Sequence, residues 1–147
     1  MLNVLVVEDD PNVASILKEL VNLHDGFHVV GLADNLQSAL TIAKDANVQV
    51  ALIDIHLARL DSGYQVAAEL KPRGISCVFV SGFEPSFPIP ELAAAHISKP
   101  CTPEAVGAAL ALASADLYQR GEQPGAGASL AQPVLAGPGD RAAQASE

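Results

Sequence analysis

The sequence predicts an α/β protein built on a parallel sheet with helices over both faces. Short runs rich in Val, Leu and Ile alternate along the chain with segments whose apolar residues recur at helical spacing. The strand runs are apolar at successive positions, so both of their faces are expected to be buried between layers of helix. Half of the 147 residues are hydrophobic, enough for one domain to bury a real core.

The elements follow in order. LNVLVV, residues 2–7, reads as the first strand. Asp10-Pro11 supplies an N-cap followed by proline at the first helical position, where an amide would have no partner anyway. Val13, Ile16, Leu17, Leu20 and Leu23 then recur at helical spacing, and Asp25-Gly26 should end the helix by that point. FHVVGLA, residues 27–33, is the second strand; Asp34 or Asn35 caps a helix carrying Leu36, Ala39, Leu40 and Ala43. VQVALIDI, residues 48–55, is the third strand, and a helix follows from Gly63 to Lys71, stopped by Pro72. ISCVFVS, residues 75–81, is the fourth, with Cys77 as a core residue. A short fifth strand lies within Ala94–Ser98, and Thr102-Pro103-Glu104 opens a last helix through Tyr118.

One helix is missing from this alternation. GFEPSFPIPE, residues 82–91, carries Pro85, Pro88 and Pro90, each of which removes an amide donor and pushes its predecessor out of the helical region. A Pro-rich loop is expected there in place of a fourth regular helix, with Phe83, Phe87 and Ile89 as an apolar patch. From residue 119 onward the chain is rich in Gly, Ala, Pro, Gln and Ser without helical or strand period. The expected organisation is a folded domain over 1–118 and a disordered tail over 119–147.

Composition narrows the function. A net charge of −9 with 8 Lys and Arg offers no electrostatic footprint for nucleic acid or an anionic membrane. There is no signal-peptide pattern at the start and no apolar run approaching the roughly 20 residues of a membrane span, so the cytoplasm is the expected compartment. Cys77 and Cys101 are too few for a disulfide framework.

In an open parallel sheet, function gathers outside the carboxyl ends of the strands. Glu8, Asp9 and Asp10 end the first strand, Asp54 the third, Ser81 the fourth and Lys99 the fifth. Taken singly, each has an ordinary explanation as a cap or turn residue. Together they fit phosphoryl transfer onto a carboxylate. Neighbouring acids suit a hard divalent cation such as Mg²⁺, Asp54 would be the nucleophile, and Lys99 and Ser81 would meet phosphoryl oxygens.

These residues sit in VLVVEDDP, ALIDIHL, VFVSG and ISKP, and over residues 2–118 the chain resembles the receiver domain of two-component response regulators. The resemblance implies a flavodoxin-like (βα)5 sandwich with strand order 2-1-3-4-5. It implies Glu8 and Asp9 as the acidic metal pair, Asp54 as phosphoacceptor, and the backbone carbonyl of His56 as a further Mg²⁺ ligand. Ser81 becomes the switch hydroxyl, and Lys99 the phosphate-reading lysine, with a cis bond to Pro100. The phosphodonor would be a histidine kinase or histidine phosphotransferase, and the output partner a protein. The chain is most similar to small stand-alone receivers with a Phe-Ala-Thr-Gly-type motif after the fourth strand, degenerate here as FVSGF. It would be no enzyme beyond its own phosphorylation and dephosphorylation.

Some positions depart from the family pattern. Ala58 stands where proline is usual, Asp61-Ser62-Gly63 replaces a tighter Asp-Gly, and His96 occupies a position that is normally aromatic. The rival reading is a degenerate receiver acting as a phosphorylation-independent interaction module or phosphate sink; it would be expected to lack the acceptor, lysine or acid pair. A haloacid-dehalogenase-type phosphatase would need a second Asp where His56 stands, and a nucleotide-binding domain a Gly-rich loop where EDDPN stands. His24, His28 and His56 are too scattered to be read as zinc ligands.

Overall fold

The computed structural model describes residues 1–57, 62–82 and 91–121. In chain order these form β1 (Leu2–Val7), α1 (Pro11–Asn22), β2 (Phe27–Ala33), α2 (Leu36–Asp45), β3 (Val50–Asp54) and α3 (Gly63–Leu70). A 3₁₀ turn (Lys71–Arg73), β4 (Ser76–Ser81), β5 (Ala95–Ser98) and α4 (Pro103–Gln119) follow. The strands make one parallel sheet in the expected order β2-β1-β3-β4-β5.

Side chains alternate across a strand, and that alternation divides the core in two. Val4, Val6, Val50, Leu52, Val78, Val80 and Ile97 point to one face, where they pack on Leu17 and Val21 of α1 and Val106 and Leu110 of α4. Leu5, Val7, Ala51, Ile53, Cys77 and Phe79 point to the other, against Ala39 of α2 and Val66 and Leu70 of α3. Tyr64 of α3 sets its ring edge-on to Phe79, with centroids 5.2 Å apart. Each layer of helix therefore covers an apolar face that the strand sequence dictates.

Caps fix where the helices start. Asp10 Oδ1 accepts from the amides of Asn12 and Val13, 2.9 and 3.4 Å away. Of the two candidates before α2, Asn35 is the N-cap and takes the Ser38 amide at 2.8 Å. Asp34 instead accepts from the Asn35 carboxamide at 2.8 Å. Ser62 and Gln65 form a reciprocal capping box at α3, and Thr102 caps α4.

Several boundaries differ from expectation: β3 ends at Asp54, β4 starts at Ser76, α4 runs on to Gln119, and two further differences have a visible cause. The third strand begins at Val50, because Gln49 leaves the ladder geometry and pairs with Asn3 partly through its side chain: Gln49 Oε1 accepts from the Asn3 amide at 2.7 Å. Pro72 does not stop the third helix outright. The α-helix ends at Leu70 and tightens into the 3₁₀ turn, which Gly74 closes at φ +83°, a conformation glycine reaches without strain. Among the described residues no helix is long and apolar enough to cross a membrane. Ala58 and Asp61, the loop expected at Pro85, Pro88 and Pro90 with its patch of Phe83, Phe87 and Ile89, and residues 122–147 lie outside the described residues.

Candidate functional site

Four strands deliver side chains to the carboxyl edge of the sheet. Glu8 extends the β1–β2 ladder by one residue, its amide donating to the Ala33 carbonyl at 2.8 Å. Asp9 follows. Asp54 ends β3 and lies opposite Val80 of β4. Lys99 follows β5, its amide donating to the Ser81 carbonyl at 2.9 Å, and its bond to Pro100 is cis.

Carboxylate oxygens of Glu8, Asp9 and Asp54 all lie within 4.8 Å of one another. Glu8 and Asp54 are each only 4% exposed. The Lys99 ammonium sits 3.2 Å from Glu8 Oε1 and 3.2 Å from Asp54 Oδ2, bridging the two. The second oxygens are held by backbone: Glu8 Oε2 accepts from the Asp10 amide at 3.1 Å, and Asp54 Oδ1 from the His56 amide at 3.0 Å. Asp10 itself serves the helix cap rather than the cluster.

The electrostatics follow from this crowding. Burial pushes the Glu8 carboxyl up to about 7, and the Asp54 charge adds to the rise. The Asp10 amide and Lys99 oppose both without cancelling them. Burial alone would depress Lys99, but its bonds to Glu8 and Asp54 and their charges outweigh it, so the ammonium titrates above its ordinary value. Among the described residues, one cation amid three carboxylates leaves an excess of negative charge in a set of oxygen donors. That donor chemistry fits a hard divalent cation such as Mg²⁺, which takes carboxylate oxygens and retains water.

A pH dependence follows. A metal ion held at this cluster would compete with the Glu8 proton for the same carboxylate, so Mg²⁺ affinity should fall as pH drops below about 7 and reach its plateau above it. The sign is that of a carboxyl whose folded pKa is raised: it carries its proton at pH values where an ordinary glutamate has lost it. Mg²⁺ titrations across this range, read by amide chemical shifts of Glu8 and Asp9, check it; affinity independent of pH would contradict it.

The remaining expected residues are placed less directly. Ser81 is 1% exposed at the end of β4, and its hydroxyl lies 3.2 Å from His96 Nε2. His56 is exposed, and its amide, as noted, is bonded to Asp54. Gly63 emerges as a residue that sequence reading treated only as a helix start. Its amide donates to the Ile55 carbonyl at 2.9 Å, and a Cβ there would lie 2.3 Å from the Asp54 carbonyl oxygen.

Comparison with known families settles the class. Residues 4–111 match the response regulator receiver domain. The chain belongs to that family. As a receiver domain it is 38% identical over 71 residues to the transcriptional regulatory protein MalR of Bacillus subtilis (strain 168), covering 48% of this chain and 30% of that protein. The response regulator PhyR from Brucella abortus superposes with a TM-score of 0.66 at 26% identity, covering 80% of this chain and 48% of that one. A CheY-like receiver domain from Methylobacillus flagellatus shares the fold, with a TM-score of 0.67 at 24% identity over 77% of this chain and 98% of that one. The matched segment covers only 23% to 41% of the length of the curated relatives.

Proposed function

We propose that Asp54 accepts a phosphoryl group, in a Mg²⁺-dependent step, from a phosphohistidine on a histidine kinase or histidine phosphotransferase, or from a small acyl phosphate. The observation that carries this reading is the buried Asp54 carboxylate held 3.2 Å from the Lys99 ammonium inside a cluster of acids. An Asp54 oxygen forms a bond to phosphorus while the donor's P–N or P–O bond breaks and its electron pair leaves with the donor. Lys99, half-buried on a flexible stem, is placed to pass from Asp54 Oδ2 to a phosphoryl oxygen as charge arrives. The His56 amide keeps Asp54 Oδ1 oriented. Glu8, Asp9, Asp54 and the His56 carbonyl would hold Mg²⁺. When bound, the metal neutralises charge between an anionic nucleophile and an anionic phosphoryl group. The phosphorylated domain then changes its contacts with an output protein; an acidic chain is a poor ligand for nucleic acid or an anionic membrane.

Incubation with acetyl phosphate, quenched cold and weighed intact, tests the reading. One phosphoryl group should appear with Mg²⁺ or Mn²⁺ and disappear with a chelator. No mass gain with metal present, or an equal gain with chelator, would sink it.

Lys99→Ala should keep Mg²⁺ binding while weakening the response to beryllofluoride, a phosphoryl mimic. The ammonium contacts Glu8 and Asp54 as a counter-charge and competes with a cation for them. Amide spectra recorded during sequential Mg²⁺ and beryllofluoride additions separate the two effects, and lost Mg²⁺ affinity in the variant would count against this role.

We also propose that residues 122–147 are dispensable for this chemistry, since their composition cannot bury a core. The cut belongs after Gly121 rather than earlier, because Arg120 pairs with Asp116 at 3.0 Å and Asp116 accepts from the Ser76 hydroxyl at 2.8 Å. A chain ending at Gly121 should keep its thermal midpoint and phosphorylation rate; a large drop in either would show that the tail contributes.

A further inference from the structure

The last helix is apolar on both of its faces. A helix laid on a sheet needs one apolar stripe, and α4 has it: Val106, Ala109, Leu110, Ala113 and Leu117 are buried in the core. Its solvent side should then be polar. Instead the run from Ala105 to Ala115 contains no charged residue. Ala108, Ala111, Leu112, Ala115 and Tyr118 face outward, with Leu112 54% and Tyr118 68% exposed. Positions 104, 108, 111, 115 and 118 are spaced alternately four and three apart, which keeps them on one line and is the spacing of a seam between two helices. That line holds Glu104, three alanines and Tyr118, with Leu112 beside it. Small side chains at such a seam let two helix axes approach to about 8 Å.

Two features say which second helix fits. The pattern complements itself when reversed. With a two-fold axis beside Ala111 and Leu112, Ala108 of one copy meets Ala115 of the other, Ala111 meets Leu112, and Glu104 meets Tyr118 and Gln119. The acid then falls against a hydroxyl and a carboxamide, both able to donate to it. Laid parallel, Glu104 would face its own copy. The second feature is charge. Each chain carries a net −9, so contact elsewhere tends to bring like charges together, whereas this helix offers an uncharged surface. We propose that two copies of this chain pair through the outer face of α4, antiparallel about a two-fold axis. The contact involves neither the acidic edge nor Asp54, so it belongs to the unphosphorylated chain and stands or falls apart from the phosphoacceptor reading.

Sedimentation of the full chain tests it. One helix pair about 25 Å long falls below the standard interface of roughly 800 Å² per partner, so a dissociation constant of about 1–100 µM is expected. Above that concentration the mass should approach twice the 15.2 kDa of one chain, and dilution should return it to one. Ala111→Arg sets two cations against each other at the axis and should weaken pairing more than about tenfold. Position 111 is exposed and arginine is a good helix former, so the fold should hold. Thr41→Arg adds the same charge at an exposed position of α2, on the other side of the sheet, and should pair like the wild type. Ala111→Cys should cross-link the pair with copper phenanthroline, well above the level reached by the wild type through its own Cys77 and Cys101. Ala108→Cys should not, because antiparallel packing sets the two copies of that position roughly 10 Å apart along the helix. Cross-linking through 108 as readily as through 111 would overturn the inference. So would a dimer indifferent to Ala111→Arg, or one that Thr41→Arg splits equally. A full chain that stays monomeric far above the expected range also overturns it, and would point to residues 122–147 as the cover of this face.

Discussion

Asp54→Asn is expected to abolish phosphate incorporation from acetyl phosphate while leaving the fold intact. The carboxamide matches the carboxylate in size and can still accept from the His56 amide, now 3.0 Å from Asp54 Oδ1. It lacks the anionic oxygen that would attack phosphorus. It also removes one of three crowded negative charges, so the Lys99 ammonium would be left with Glu8, already 3.2 Å away. The thermal midpoint should therefore hold or rise, while Mg²⁺ affinity falls for want of a ligand. Intact mass and a melting curve on the same sample read both effects. Phosphate gained by the variant at the wild-type rate would place the acceptor elsewhere.

Gly63→Ala carries the largest expected effect on stability. A methyl group at Gly63 would lie 2.3 Å from the Asp54 carbonyl oxygen and 2.6 Å from Ile55 Cα, both backbone atoms of the β3 exit. Neither can step aside as a flexible side chain can. Either α3 lifts from the sheet, losing the Gly63–Ile55 hydrogen bond and the packing of Val66 and Leu70, or the Asp54 backbone moves. Overpacking of this kind costs about 1–3 kcal/mol, or roughly 10 °C in the melting midpoint of a domain this size. Phosphorylation should slow as well, because the displaced backbone carries Asp54. Gly82→Ala is the control, since a methyl there meets nothing within 4 Å among the described residues. A Gly63→Ala protein that melts with the wild type would mean that α3 does not press on β3 in this way.

Most of the architecture was legible because local chemistry and burial agree. Runs such as Val4–Val7 are fully buried on both faces, and only a sandwiched parallel strand asks for that. Asp10-Pro11 and the pair Asp34-Asn35 marked helix starts through capping that needs no tertiary partner, though only the structure picks Asn35. The acidic edge was legible for a related reason. Parallel strands all point the same way, so groups at their carboxyl ends must meet, and Glu8, Asp9, Asp54 and Lys99 do. What stayed hidden depends on distances between elements far apart in sequence. Nothing local says that one ammonium reaches Glu8 and Asp54 equally, that Gly63 rests on the Asp54 carbonyl, or that the Ser81 hydroxyl meets His96. The start of the third strand was misread for the same reason: Gln49 left it for Asn3, a partner 46 residues away.

The central claim is that Asp54, and no other group, carries the phosphoryl. An aspartyl phosphate is an acyl phosphate, and borohydride reduces it to homoserine where it stands. The full chain would be phosphorylated with acetyl phosphate and Mg²⁺, reduced, digested and sequenced by tandem mass spectrometry. Homoserine at position 54 alone, absent without Mg²⁺, is the predicted result. Reduction product at Glu8 or Asp9, or none despite a confirmed gain of phosphate, would contradict it.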